Sequence, residues 1–183
     1  MFLTEDTGLK GCIRIIPKIF RDNRGISVKT FHADTFRDLC IPAEFAEDLI
    51  VTSCKNVLRG LHFQNPPYGQ SKLVYCIRGR ILDVVADIRK GSPTYGEYKL
   101  FELSDSNNWM LFIPEGFAHG YLTLEDQSIV MYKMSSAYNP ACEDGIRWDS
   151  MGIPWGIDKP IVSERDRNFL PFDKFESRFE YVF

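Results

Sequence analysis

The chain contains no stretch approaching 18 consecutive apolar residues, and so no candidate for a membrane-spanning helix. It has no CxxC pair, and its five cysteines (Cys12, Cys40, Cys54, Cys76, Cys142) are an odd number. That argues against a disulfide framework or a zinc ribbon and for reduced thiols. There are only three histidines, His32, His62 and His119, with no HxH and no HExxH. A metal-dependent oxygenase barrel gathers two or three histidines with a carboxylate, so that class is disfavoured. Basic charge is not in excess either: 22 Lys and Arg stand against 25 Asp and Glu, a net charge of −3. General nucleic-acid binding is thereby disfavoured, while a local cluster of arginines facing a small anion is not. The first ten residues carry acids where a signal peptide carries bases, and no long apolar run follows. The expectation is a soluble cytoplasmic protein.

What is present is one domain's worth of chain, 183 residues with 44% hydrophobic and 26% charged. Short strand-like runs fill most of it: 12–20, 26–31, 56–64, 72–79, 80–89, 98–103, 109–114 and 129–134. RDNRG, NPPYG, GSPTYG, SDSNN and PEG separate them as turn signals. Many short strands so spaced predict an antiparallel two-sheet barrel rather than alternating β and α units. In 80–89, Leu82, Val84, Ala86 and Ile88 share one parity and Asp83 and Asp87 the other. Two short helices are expected. One covers Asp34–Leu39, capped by an acid; the other is a tail over about 171–183, with Phe172, Phe175, Phe179 and Phe183 as a helical stripe. No internal repeat or linker is present, and a single domain over 1–183 follows.

The segment Val57–Gln64, VLRGLHFQ, places an arginine, a glycine and a histidine inside an apolar strand. Glycine within a strand marks a bulge or the close approach of a ligand. The segment admits two readings: a histidine satisfied by a backbone carbonyl with an arginine at the rim, or part of a site. Strict alternation would put Arg59 and His62 on opposite faces unless Gly60 bulges the strand. Lys72 shares parity with Val74 and Cys76, and Tyr132 with Val130 and Met134. Asp166, in SERD, fits a capping turn or a carboxylate that orients a histidine. Acid–base chemistry needs a histidine, such a carboxylate and a second proton donor. The residue types are available, but spacing alone does not bring them together.

These residues stand in runs that resemble the dTDP-4-dehydrorhamnose 3,5-epimerase family, cofactor-free enzymes of the cupin, or jelly-roll, superfamily. The runs are FRDNRG (20–25), KNVLRGLHFQNPP (55–67), QSKLVYCIRGRILDVVADIRKGSPTYG (70–96), IPEGFAHGYLTL (113–124), YKMSSAYNPACEDGIRW (132–148) and VSERD (162–166). They lie in order over nearly the whole chain. The resemblance implies a mainly β fold, an antiparallel double-sheet jelly roll with a few short peripheral helices. It implies inversion of C3 and/or C5 of a nucleotide-linked 4-keto-6-deoxyhexose, without nicotinamide or metal. His62 then matches the general base, Asp166 its partner carboxylate, Tyr132 the acid on the opposite face, and Lys72 the cation near the C4 oxygen. Arg24, Glu47, Arg59, His119, Glu143 and Arg165 match positions that meet the nucleotide sugar, and Tyr138 the one that stacks on the base. A homodimer is implied as well.

The chain departs from the family pattern at a few places. Lys29 stands where relatives often have glutamate, Arg165 where they often have lysine, and Glu47–Val51 (EDLIV) where a QDNHS-like run is common. The first and last of these bear on recognition of the nucleotide and sugar and leave the catalytic set intact. A related keto-isomerase or 3-epimerase, or a sugar-nucleotide-binding cupin without turnover, are the alternatives.

Overall fold

The structure, a computed structural model, describes residues 2–182. Two antiparallel sheets face each other. One runs in the order β1 (Phe2–Asp6), β2 (Ile13–Pro17), β10 (Met110–Ile113), β7 (Lys72–Arg78), β12 (Ser128–Met134) and β5 (Glu47–Ser53). The other runs β13 (Glu143–Gly145), β6 (Leu58–Gln64), β11 (Phe117–Thr123), β8 (Arg80–Asp87) and β9 (Tyr98–Ser104). A separate hairpin joins β3 (Ile19–Asp22) to β4 (Gly25–Val28). The expected mainly β, double-sheet jelly roll is thus what forms, with small helices at its edge.

Several strands are buried on both faces, which is why they read as nearly continuous apolar runs. Residues of both sheets, among them Val74, Cys76, Val85, Leu111, Tyr121 and Val130, meet in the interior. The alternate residues point outward under cover. Leu73, Met110 and Phe112 pack beneath α1 (Ala33–Asp38), whose Phe36 is buried against them. Val84, Ala86, Ala118 and Leu122 pack beneath the C-terminal third, including Ile153, Trp155, Val162 and Phe179. The parity in β8 therefore holds, with its apolar side facing outward and its aspartates pointing into the barrel.

Two helical expectations need correction. α1 is capped by the His32 side chain, whose Nδ1 accepts from Thr35 N at 3.4 Å, and Asp34 sits in its first turn instead. The tail is not a helix beyond a single turn at Phe172–Lys174. From Phe175 onward its burial alternates: Phe175, Ser177, Phe179 and Tyr181 turn inward, while Glu176, Arg178, Glu180 and Val182 are exposed. This is the period of an extended chain, and a parallel bridge between Lys90 and Glu180 fixes it. The phenylalanine spacing of a helix coincides here with a two-residue alternation that the core selects. Phe183 lies outside the described residues.

Four strands lack a sequence expectation: β1, β5, β11 and β13. β11 is buried at every position, FAHGYLT, so it shows neither alternation nor a polar face to mark it. The run 12–20 divides at Lys18 into β2 and β3.

Candidate active site

Gly60 is where local sequence decides the site. It adopts φ of +130°, in the region that favours glycine, and is joined to Leu61 by a cis peptide bond. Across the β6–β11 pair, His62 faces His119 while Arg59 faces Tyr121, so three residue steps on β6 answer two on β11. The bulge puts Arg59 and His62 on the same, inward face, resolving the alternation conflict. It leaves no room for a side chain, because a Cβ on Gly60 would lie 2.5 Å from Gly120 Cα. It also turns Gly60 N toward Asp166, to which it donates at 3.1 Å.

Asp166 belongs to α2 (Glu164–Asn168), where Ser163 Oγ caps the helix by accepting from Asp166 N at 3.1 Å. SERD is therefore both a capping turn and the source of a site carboxylate. Asp166 Oδ1 lies 2.8 Å from His62 Nε2. Burial alone would raise the Asp166 pKa, but the bonds from His62, Gly60 N and Ser163 outweigh it and hold the carboxyl well below its usual range. An ionised carboxylate only accepts, so Nε2 carries the imidazole proton and Nδ1 keeps the lone pair. Nδ1 has no hydrogen-bond partner among the described residues. Burial, then Arg165 and Lys72, push the His62 pKa below its ordinary value against the pull of Asp166, so the ring is neutral near pH 7.

The facing sheet supplies Lys72 from β7 and Tyr132 from β12, both turned inward with the apolar residues whose parity they share. Lys72 Nζ donates to His62 O at 3.2 Å. Its burial pushes the ammonium down to about 8, with Asp83 and Glu143 opposing. Tyr132 is pushed well above its ordinary range, chiefly by burial. The Tyr132 ring meets His119 edge-on at 5.8 Å between centroids. His119 Nε2 lies 2.8 Å from Asp83 Oδ2, and both side chains are fully buried. Among the described residues the other oxygen, Asp83 Oδ1, has no hydrogen-bond partner.

Nine of the eleven residues singled out from the sequence line one cavity between the sheets, about 850 Å³ including its open mouth: His62, Lys72, Tyr132, Glu47, Arg59, His119, Tyr138, Glu143 and Arg165. Asp166 stands behind His62. Arg24 is not brought there by its own chain: it sits on the β3–β4 hairpin, paired with Asp22 at 2.7 Å and exposed. At the rim Tyr138 OH donates to Glu143 Oε2 and Tyr138 N to Glu47 Oε2, each at 2.7 Å. Deeper in, Arg59 Nε donates to Ser53 Oγ at 3.0 Å.

Sequence reasoning missed Gln64 and Gln70 as lining residues and Asp83 as a buried charge beside His119, while Leu49 and Val51, in the Glu47–Val51 run tied to recognition, do line the cavity. Asp83 had a signal, standing with Asp87 on the parity opposite the apolar residues of 80–89. Among the described residues, no three His, Cys, Asp or Glu side chains are grouped to hold a metal ion. None of their helices is long and apolar enough to cross a membrane.

A neutral imidazole on one sheet, backed by an ionised carboxylate from α2, with an ammonium and a phenol on the other sheet, is equipped to move protons across a small ring held between them. The family model for dTDP-4-dehydrorhamnose 3,5-epimerase matches residues 6–174. A dTDP-4-dehydrorhamnose 3,5-epimerase of Methanothermobacter thermautotrophicus is 46% identical over 170 residues, covering 90% of this chain and 91% of its own. The crystal structure of the Sulfolobus tokodaii dTDP-4-dehydrorhamnose 3,5-epimerase superposes with a TM-score of 0.92 at 41% identity, covering 98% of this chain and 99% of that one. A dTDP-6-deoxy-D-glucose-3,5-epimerase from Legionella pneumophila, solved with dTDP-4-keto-L-rhamnose, superposes with a TM-score of 0.94 at 32% identity over 100% of both chains. With its double-sheet jelly roll and this agreement over nearly its whole length, the chain belongs to the dTDP-4-dehydrorhamnose 3,5-epimerase family.

Proposed function

We propose that this protein inverts C3 and C5 of dTDP-4-keto-6-deoxyglucose, giving dTDP-4-dehydrorhamnose. The observation that carries the reading is the placement of His62 on one sheet, backed by Asp166 of α2, and of Lys72 and Tyr132 on the other, across one cavity. The C4 ketone acidifies the hydrogens on its two neighbouring carbons. His62 Nδ1 removes one of them, and Asp166 supports the imidazolium that forms. The electron pair moves to the C4 oxygen, where the Lys72 ammonium stabilises the enolate. Lowered only to about 8, the Lys72 ammonium stays mostly protonated at pH 7. Tyr132, whose phenol holds its proton tightly in the free protein, delivers it to the opposite face as the carbanion re-forms. His62 and Tyr132 then exchange protons with solvent, and no electron is transferred.

Arg59 and Arg165 supply the charge-assisted grip that a diphosphate invites, and His119, Glu47, Glu143 and Tyr138 complete the sugar and base contacts. A homodimer is part of this reading. The exposed Leu49 and Ile50 of edge strand β5, and Phe20 and Ile26 beside Arg24, offer apolar surface for a second copy. In that assembly Arg24 reaches the neighbour's cavity. Five free thiols suit the reducing cytoplasm.

Incubation with dTDP-4-keto-6-deoxyglucose in D2O, followed by NMR, tests the function. Deuterium at both C3 and C5 is the expected result. Deuterium at C3 alone makes the protein a 3-epimerase, and tight binding without exchange at either carbon overturns catalysis altogether. Light scattering at micromolar concentration tests the dimer.

A further inference from the structure

We propose that Arg165 is a positioning residue for the base: its guanidinium, anchored on Glu143, shares Asp166 with His62 and locks that pair from the cavity side. This rests on the reading of His62 as the base and goes beyond the diphosphate grip given to Arg165 above. Three contacts carry it. Arg165 Nη1 donates to Glu143 Oε1 at 2.5 Å, and its Nε to Asp166 Oδ1 at 3.3 Å. Its Nη2 stands 3.2 Å from His62 Nε2. The side chain is half exposed, yet its fork is tied at both ends, and it lies 5.9 Å from the Phe169 ring that packs edge-on against His62. A planar fork can hold two carboxylates in one fixed arrangement, whereas a lysine ammonium acts as a point charge.

The contact with His62 has a defined polarity. Nε2 already gives its hydrogen to Asp166, so Arg165 Nη2 meets a donor there and forms no hydrogen bond with it. What remains is repulsion between the guanidinium and a second proton on the ring. The groups facing His62 are Arg59 of its own strand, Asp166 and Arg165 of α2, Lys72 of β7, Glu143 of β13, Tyr132 of β12, and His119 of β11 with its Asp83. Of these, Asp166 favours the imidazolium, while Arg165 and Lys72 oppose it together with burial. Arg165 therefore does two things at once: it steadies the carboxylate that orients the ring, and it keeps the lone pair on Nδ1 free.

Arg165→Gln and Arg165→Lys separate these effects, read by NMR titration of the His62 imidazole in the substrate-free protein and by the pH profile of solvent exchange. In the Gln variant the His62 midpoint rises by about one pH unit, the scale of one partly solvated charge at this distance. Its kcat falls about tenfold, as expected for a loosened base. In the Lys variant the charge stays, so the midpoint stays within about 0.3 unit, while kcat falls about threefold because the fork is lost. An unmoved His62 midpoint in the Gln variant, with only KM raised, overturns the proposal and leaves Arg165 a substrate contact. Full kcat in the Lys variant overturns the part that requires the fork. The titration needs no turnover, so a wild-type protein without exchange would overturn the epimerase reading separately.

Discussion

In the proposed mechanism the division of labour between His62 and Tyr132 is set by opposite shifts in proton affinity. Burial pushes His62 down and Tyr132 up, so one side chain is ready to take a proton and the other to give one. The two substitutions therefore have different consequences. His62→Asn removes the base: deuterium exchange at C3 and C5 falls by about 10³-fold, as loss of a general base implies. Affinity for dTDP, read by calorimetry, should be unchanged, because in the proposed mechanism Nδ1 meets the sugar ring and not the nucleotide. A variant exchanging at the normal rate would assign the base elsewhere. Tyr132→Phe leaves enolate formation in place. Deuterium still washes into the starting configuration while inverted product drops by about 10²-fold, and unimpaired inversion would remove Tyr132 from the mechanism. The same shifts fix the pH dependence of kcat/KM. Its acid limb lies below the ordinary histidine pKa of about 6.5, since the lowered His62 stays neutral further into acid. Its alkaline limb falls near 8, where Lys72 loses its proton and the enolate its counter-charge. An acid limb above 7 would contradict the arrangement around His62.

Apolar runs bounded by a turn signal, such as 72–79 and 109–114, were legible in the sequence as strands, whereas the mostly exposed β1 and β5 and the three-residue β13 were not. Nor was β11, where His119, Gly120 and Thr123 interrupt the apolar run although every position is buried. The tail was misread for another reason. Phe175 and Phe179 satisfy both a helical and an extended period, and the ring of Phe63, 5.4 and 5.9 Å from theirs, together with the Lys90–Glu180 bridge, selects between them. That packing places the tail directly behind the strand that carries His62. Phe179→Ala should then cost about 3 kcal/mol, the scale of truncating a buried aromatic, seen as a lowered urea midpoint with an unchanged m-value. Gly60 carried the strongest single signal, since an arginine and a histidine of opposite parity needed a bulge to share a site. Gly60→Ala forces a side chain into positive φ and against the Gly120 backbone. Gly152→Ala, also at positive φ but with nothing within 4 Å, is the matched control. The control should cost about 1 kcal/mol in thermal melts. Gly60→Ala should cost more and also abolish exchange in whatever protein remains folded, because the bulge aligns Arg59 with His62. Equal costs at the two positions would show that β6 relaxes without its bulge.

At the scale of the whole molecule, the net charge of −3 conceals a cavity where cations and carboxylates are deliberately mixed, and the molecule's stability bears the cost of one of them. Lys72 is 8% exposed, and its pKa falls from 10.5 to about 8 on folding. Below pH 8 the folded state must therefore hold a buried ammonium that the unfolded chain leaves in water. Between 8 and 10.5 the unfolded chain still binds a proton that the folded protein has released, so this group makes stability rise with pH across that window. Its ceiling is roughly 3 kcal/mol, at about 1.4 kcal/mol per pKa unit. The wild-type curve alone does not isolate it, because the buried thiols of Cys12 and Cys76, pushed up to about 12, act in the opposite sense above pH 9. The difference between Lys72→Met and wild type removes those contributions. Urea unfolding should find the variant more stable at pH 7, by up to roughly 3 kcal/mol, with the advantage shrinking steadily toward pH 10.5. The same variant should lose exchange at both carbons, since methionine offers the enolate no charge. A stability difference that is flat from pH 7 to 10 would mean that Lys72 reaches solvent in the folded protein, and the enolate would then have to be stabilised by another group.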